Sequence, residues 1–347
     1  MPAEWEKHEA TWLAWPHNKS DWPGKFTPIP WVYGEIVRKI APGELVRIIV
    51  DSTAHERSAR RVLGKVGVDF SRVQFFRFPT DRSWTRDMGP MFVRRDETPP
   101  SVAVNNFRFT GWAKYDNWKR DCRIHHRAAS ALGLERFQPL VNNIPFVLEG
   151  GAIDVNGSGS LLTTEECLLD QTIQVRNPGA TREATEVALR QALGVTNILW
   201  LGKGITGDDT HGHVDDLARF VSRKTIALCH EDNPADPNFA LLNENRERLQ
   251  SMRLEDGSKP DIVTLPMPAP LVFDGIRLPA SYANFYFAND ALLVPTFNDP
   301  NDRIALGILS EIVKDRPVVG IHAVDLVWGL GTIHCMTQQQ PAVVGLQ

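Results

Sequence analysis

The chain lacks paired cysteines: its four, Cys122, Cys167, Cys229 and Cys335, are scattered and form no CxxC pair. Their spacing points to a reduced, cytoplasmic protein. No run of 18 apolar residues occurs, so no membrane span is expected. The start, Met1-Pro2-Ala3-Glu4-Trp5-Glu6-Lys7, has neither the basic opening nor the apolar stretch of a signal peptide. Basic residues are not in excess. The 38 Lys and Arg against 42 Asp and Glu leave a net charge of −4, which argues against nucleic acid as the main partner and permits a cationic one. No linker or low-complexity segment divides the chain, so a single domain spanning 1–347 is expected, with a homodimer left open. What is present, 42% hydrophobic and 23% charged residues, is enough for a sizeable globular core.

A period runs through the sequence. Helical patterns begin near Ala54, Arg120, Arg182, Asn238 and Asp302, at intervals of roughly 60 residues, the kind of spacing that repeat architectures leave. The clearest runs from Arg182 to Leu193, with apolar residues at i, i+3, i+4 and Gly194 as its stop. A short β-rich run follows each, and then a polar or glycine-rich junction. The junctions are Trp84-Thr85-Arg86-Asp87, Glu149-Gly150-Gly151, Thr210-His211-Gly212-His213-Val214-Asp215, Ala280-Ser281-Tyr282-Ala283-Asn284, and the stretch around Cys335. After the first four junctions comes a hairpin-like segment, most plainly at Asn156-Gly157-Ser158-Gly159. Units closing around an axis would bring the five junctions to one end of it. An ordinary α/β domain with evenly spaced elements is the alternative.

The junctions hold the chemistry. Cys335 follows Gly329-Leu330-Gly331-Thr332-Ile333-His334, which reads as a tight loop entering a short strand with the thiol at its mouth. Such a thiol is either a small core residue or a nucleophile. His211 and His213 with Asp215 have metal-ligand spacing, and the string resembles the zinc motif of metallo-β-lactamase-like hydrolases. That motif wants a third His where Asp216 stands, and few other histidines sit at ligand positions. Read instead as a strand, 213–215 puts imidazole and carboxylate on one face, a general acid/base beside an anionic group. Asp87 and Glu149 add carboxylates, each next to a turn. Three carboxylates, a His and a Cys suit a guanidinium, which is planar, cationic and held in pairs by carboxylates.

As a set, Pro2-Ala3-Glu4-Trp5, Trp12-Leu13-Ala14-Trp15-Pro16, Trp84-Thr85-Arg86-Asp87-Met88-Gly89-Pro90, Glu149-Gly150-Gly151, Gly212-His213-Val214-Asp215-Asp216, Ala280-Ser281-Tyr282-Ala283-Asn284 and Ile333-His334-Cys335-Met336-Thr337-Gln338-Gln339 resemble the agmatine deiminases, in the bacterial-type peptidylarginine deiminase family. The resemblance covers residues 2 to about 340. It implies the α/β pentein propeller of five pseudo-symmetric units around a central site, with no cofactor and no metal. By the same resemblance Cys335 is the nucleophile and His213 the acid/base. Asp87 and Asp215 grip the guanidinium, and Glu149 orients the reacting group. Trp84 and Asn284 lie in matching motifs and join the substrate-binding candidates. The implied activity is hydrolysis of agmatine to N-carbamoylputrescine and ammonia, a step of polyamine biosynthesis. Peptidyl-arginine, free arginine and amidino transfer to an amine remain alternatives. Leu330 and Asp216 depart from the family's frequent Gly and Asn. Trp5, Trp12 and Trp15 could wall a pocket or pack against the core.

Overall fold

Residue patterns turn into elements where caps and apolar stripes agree. The computed structural model describes residues 1–97 and 99–343, so the last four positions of the expected 1–347 domain lie outside it. The helix Arg182–Leu193 opens with Thr181 accepting the Ala184 N–H (3.2 Å) and ends at Gly194 in the left-handed region. Pro300–Ile312 starts with a reciprocal capping box between Asp299 and Asp302. Thr53–Lys65, Ile124–Leu132 and Pro237–Ser251 account for the other expected helices.

One helix was not expected, Ile29–Ile40, whose buried residues Ile29, Tyr33, Ile36, Val37 and Ile40 form a plain helical stripe. Its flanking prolines and the lack of a capping side chain hide it from a search for start signals.

Five sheets share one pairing scheme: a strand, an antiparallel neighbour, then a parallel strand reached through a helix. Met91–Arg95 pairs with Ser101–Asn105 and then Glu135–Phe137. Asp154–Val155, Ser160–Thr164 and Asn197–Leu201 repeat it, as do Ala218–Phe220, Thr225–His230 and Asp261–Pro266. Tyr286–Ala288, Ala291–Thr296 and Val318–His322 make the fourth instance. The remaining sheet joins the two ends of the fold. Gln338–Pro341 pairs antiparallel with His8–Ala14, which runs parallel to Leu45–Val50 and through it to Val73–Arg77. The unexpected helix is the crossover of this sheet, and Thr53–Lys65 adds one strand more. The result is a mixed α/β fold.

Trp12 and Trp15 are buried in the largest apolar cluster, and Trp5 packs against it with its edge toward Phe287. All three therefore serve packing. No helix among the described residues is long and apolar enough to cross a membrane.

Candidate active site

Each junction residue is set by a short turn, and glycine decides how closely the turns approach. Asp87 sits on the helical turn Thr85–Met88. Glu149 precedes the 3₁₀ turn Gly150–Ala152. A Cβ at Gly151 would lie 2.5 Å from His213 Nδ1 and 3.0 Å from carboxylate oxygens of both Asp87 and Asp215. Only glycine lets this backbone pass there, and its N–H donates to Asp87 Oδ1 (3.0 Å).

Two local expectations need correcting. His213 to Asp215 is not a strand: His213 caps the 3₁₀ turn Val214–Asp216. The carboxylate still comes beside the imidazole, because the tight turn folds the chain back at His213. Cys335 is not at a strand's mouth but on the helical turn Ile333–Met336, with the strand Gln338–Pro341 after it. The β-branched Thr332-Ile333 pair suggested extension, whereas Asn284 Oδ1 accepts the His334 N–H (3.0 Å) and the Thr332 hydroxyl (2.6 Å) and tethers the start of this turn.

The fold brings the candidates together. His213 Nδ1 lies 3.8 Å from Asp87 and 4.0 Å from Asp215, and its Nε2 lies 3.7 Å from Glu149. Among the described residues, that Nε2 is buried without a hydrogen-bond partner, as is Asp215 Oδ1. Both atoms are free to meet something polar. Asn284 Nδ2 donates to Cys335 Sγ (3.1 Å), and Sγ lies 3.7 Å from Asp215 Oδ2.

Cys335 and Asp87 share a cavity of about 220 Å³ whose buried wall also includes Trp84, Trp112 and Asp21. Its half-buried rim is Arg82, Tyr115, Asp209 and Leu330, among others. A larger cavity, about 850 Å³, is lined instead by segments such as Arg94–Asp96 and Gly157–Ser160 and holds none of the five candidates. Size is outweighed here by chemistry.

Electrostatics separates the carboxylates. Burial pushes Asp87 up to about 6, against His213 and with help from Asp215 and Glu149. Burial also opposes charge on Glu149, but Arg176, 3.3 Å from both its oxygens, and His213 hold it below the ordinary value. Asp215 is likewise held low despite burial, by His334 and then His213. Asp216 goes the other way, well above, through burial and the nearby Asp215 and Asp208. His213 overcomes its burial through Asp87, Cys167 and Glu149 and stays protonated well above the usual imidazole range. The Cys335 thiol is pushed well up by burial and by Asp215, Asp216 and Asp87.

The paired-histidine zinc motif does not form. His211 turns to Asp170 (2.8 Å), while His213 joins the carboxylates, so the two imidazoles do not converge. Beside His213, Glu149 already holds the fixed cation of Arg176.

Several site residues escaped the sequence reading. His334, next to Cys335, bridges Asp215 (2.7 Å) and Glu4 (2.8 Å). Glu4 in turn takes Arg86 (3.0 Å) and Arg219 (2.9 Å). Trp112 donates to Asp87 Oδ2 (2.8 Å). His334 and Glu4 lay inside recognised motifs; Arg176 and Trp112 carry no local signal.

Comparison with known proteins places the chain in the deiminase class of enzymes. More narrowly, it belongs to the Porphyromonas-type peptidyl-arginine deiminase family, whose model matches residues 1–341. It is 32% identical to the agmatine deiminase of Ectopseudomonas mendocina, covering 99% of this chain and 96% of the relative. It is 33% identical to that of Pseudomonas aeruginosa LESB58, at 99% and 95% coverage. Among solved structures, the Enterococcus faecalis agmatine deiminase superposes with a TM-score of 0.90 at 29% identity, covering 99% of this chain and 96% of the other. A cysteine-to-serine variant of the C. jejuni agmatine deiminase with substrate bound gives 0.85 at 30% identity, with 100% and 96% covered.

Proposed function

We propose that the protein hydrolyses agmatine to N-carbamoylputrescine and ammonia in the cytoplasm, as one domain (1–347) in which the five sheets of common pairing scheme are the blades of a pentein propeller. The observation that carries the reading is the ring of buried Asp87, Glu149 and Asp215 around His213, with Asn284 donating to Cys335. A guanidinium entering this ring adds a planar cation where three carboxylates converge. The same charge draws the Cys335 thiol down toward thiolate.

The thiolate attacks the central guanidinium carbon, and the His213 imidazolium protonates the departing nitrogen, which leaves as ammonia. The remaining amidino group is bound to sulfur as a thiouronium. Neutral His213 then takes a proton from water as that water adds to the same carbon. Collapse expels the thiolate and releases the ureido product. Glu149, held anionic by Arg176, keeps His213 charged and oriented.

The tail end favours an amine over an amino acid. The cavity walls are aromatic at Trp84, Trp112 and Tyr115, and of their acids Asp21 is already partnered by Arg82 and Asp209 by Lys114 and Tyr115. A free arginine would need a cation for its carboxylate. The cation on this wall, Arg82, is paired with Asp21 (2.5 Å) and lies over the Tyr115 ring (4.1 Å). The test measures ammonia and ureido product with agmatine, free arginine and a peptidyl-arginine, with and without chelator. Agmatine is expected to have the highest kcat/KM, unaffected by chelator. Arginine as the better substrate would overturn the assignment.

Two further results are expected. Asp87 holds a cation only when ionised, and its carboxyl is pushed up to about 6. Protonation therefore weakens guanidinium binding as pH falls, so kcat/KM should decline below about pH 6. A profile that stays flat down to about pH 5 would remove Asp87 from substrate binding. Gly151→Ala forces a methyl against His213 and both aspartates. A displacement near 1 Å costs about a hundredfold, so kcat should drop by at least that factor with the circular dichroism spectrum intact. Near-normal turnover would show that the site has slack.

A further inference from the structure

The rim of the cavity contains a residue in an unfavourable conformation. Leu330 has φ 68° and ψ 28°, in the left-handed region where a leucine is strained and a glycine is not. Its neighbours are both glycines, and each is there for space. A Cβ on Gly329 would fall 2.5 Å from Trp22 Nε1, and one on Gly331 would fall 2.9 Å from Trp84 Cζ3 and 3.2 Å from Cys335 Sγ. Trp22 is buried and donates to the Leu326 carbonyl (2.8 Å), and the Leu330 N–H donates to Val327 (2.9 Å). These contacts hold the loop on both sides of Leu330. At its centre a third glycine would fit without cost, yet a branched side chain stands there, half-buried on the cavity wall that also contains the nucleophile. Strain kept at such a place points to use of the side chain.

We propose that Leu330 is a specificity-determining residue. Its side chain narrows the rim and admits to Cys335 guanidines carried on a slender unbranched chain, while excluding those with a bulky substituent near the head. The substrate preference expected from this rests on the deiminase reading; the steric filter itself does not. Leu330 also packs against the large apolar cluster, so a purely structural role is the competing account.

The test uses the full chain with Leu330→Gly and Leu330→Ala, the first relieving the backbone and the second not. Alkylation of Cys335 is followed by mass spectrometry with 2-chloroacetamidine and with its bulkier N-benzyl derivative. In both variants the ratio of the bulky-probe rate to the small-probe rate should rise at least about tenfold, the scale on which pocket shape discriminates. The kcat/KM ratio of a guanidine branched at the carbon beside its head group, relative to agmatine, should rise by a similar factor. An unchanged probe ratio in both variants overturns the proposal, and a lowered melting temperature beside it assigns Leu330 to packing. If the parent releases no ammonia from agmatine, the functional reading fails, and the probe ratio still judges the filter. Should the glycine variant not fold, Leu330→Ala and a tightening Leu330→Phe decide the same question.

Discussion

Replacing Cys335 with serine is expected to reduce ammonia release from agmatine by at least about a thousandfold, because losing a covalent nucleophile removes the pathway and not one contact along it. The substitution is nearly isosteric at a position only 7% exposed. The Asn284 donor can still find an oxygen where the sulfur was. Tm should therefore stay within a few degrees of the parent, which separates lost chemistry from lost fold. Binding gives a second readout. With the thiol gone, Asp87, Asp215 and Glu149 remain, so agmatine should still raise Tm by mass action. Substantial turnover in the serine variant would sink the nucleophile assignment. Loss of turnover together with loss of agmatine binding would instead point to a collapsed site.

The largest stability effect is expected far from the thiol in sequence. Glu4 is buried; Oε1 accepts from Arg219 (2.9 Å) and the Phe287 N–H (2.9 Å), and Oε2 from Arg86 (3.0 Å) and His334 (2.8 Å). Burial opposes its charge, but Arg219, His334 and Arg86 hold the carboxyl well below the usual range. Glu4→Ala leaves two buried guanidinium groups short of an anion. Breaking a buried pair in this way costs about 3–5 kcal/mol, a large part of a typical folding free energy. Urea titration of parent and variant measures it, and a loss under about 1 kcal/mol would show that Asp154, 3.4 Å from Arg219, and Gln339, which accepts from Arg86 (2.7 Å), suffice for the arginines. The sign with pH follows. A carboxyl depressed in the folded state stabilises fully above its unfolded value and loses that contribution as pH falls. The parent should thus lose its advantage over Glu4→Gln in acid. Activity should fall too, since His334 links Glu4 to Asp215.

Much of this architecture was legible in the chain. The even spacing of helices, short strands and polar junctions anticipated the repeated sheet scheme; three junctions hold the residues that meet around His213, and the other two hold Asn284 and Cys335, which meet beside Asp215. Local patterns failed where tertiary contacts choose the conformation. Thr332-Ile333 looks extended, yet the Asn284 tether shapes a helical turn. His213 to Asp215 has strand-like alternation, yet Asp208 Oδ2 accepts the N–H of both Gly212 and His213 (2.8 and 2.9 Å) and bends the chain there. Arg176 and Trp112 are invisible because nothing near them in sequence names their partners, Glu149 and Asp87.

The pairing of Gln338–Pro341 with His8–Ala14 also has a consequence during synthesis. The thiol's turn lies directly before the last strand, and the first strand emerges from the ribosome more than 300 residues earlier. At about 5–20 residues per second, the opening strand waits tens of seconds for its partner. The strands His8–Ala14, Leu45–Val50 and Val73–Arg77 can pair in that time, whereas Gln338–Pro341, and the turn carrying Cys335 just before it, can join them only once that distant part of the chain has been made.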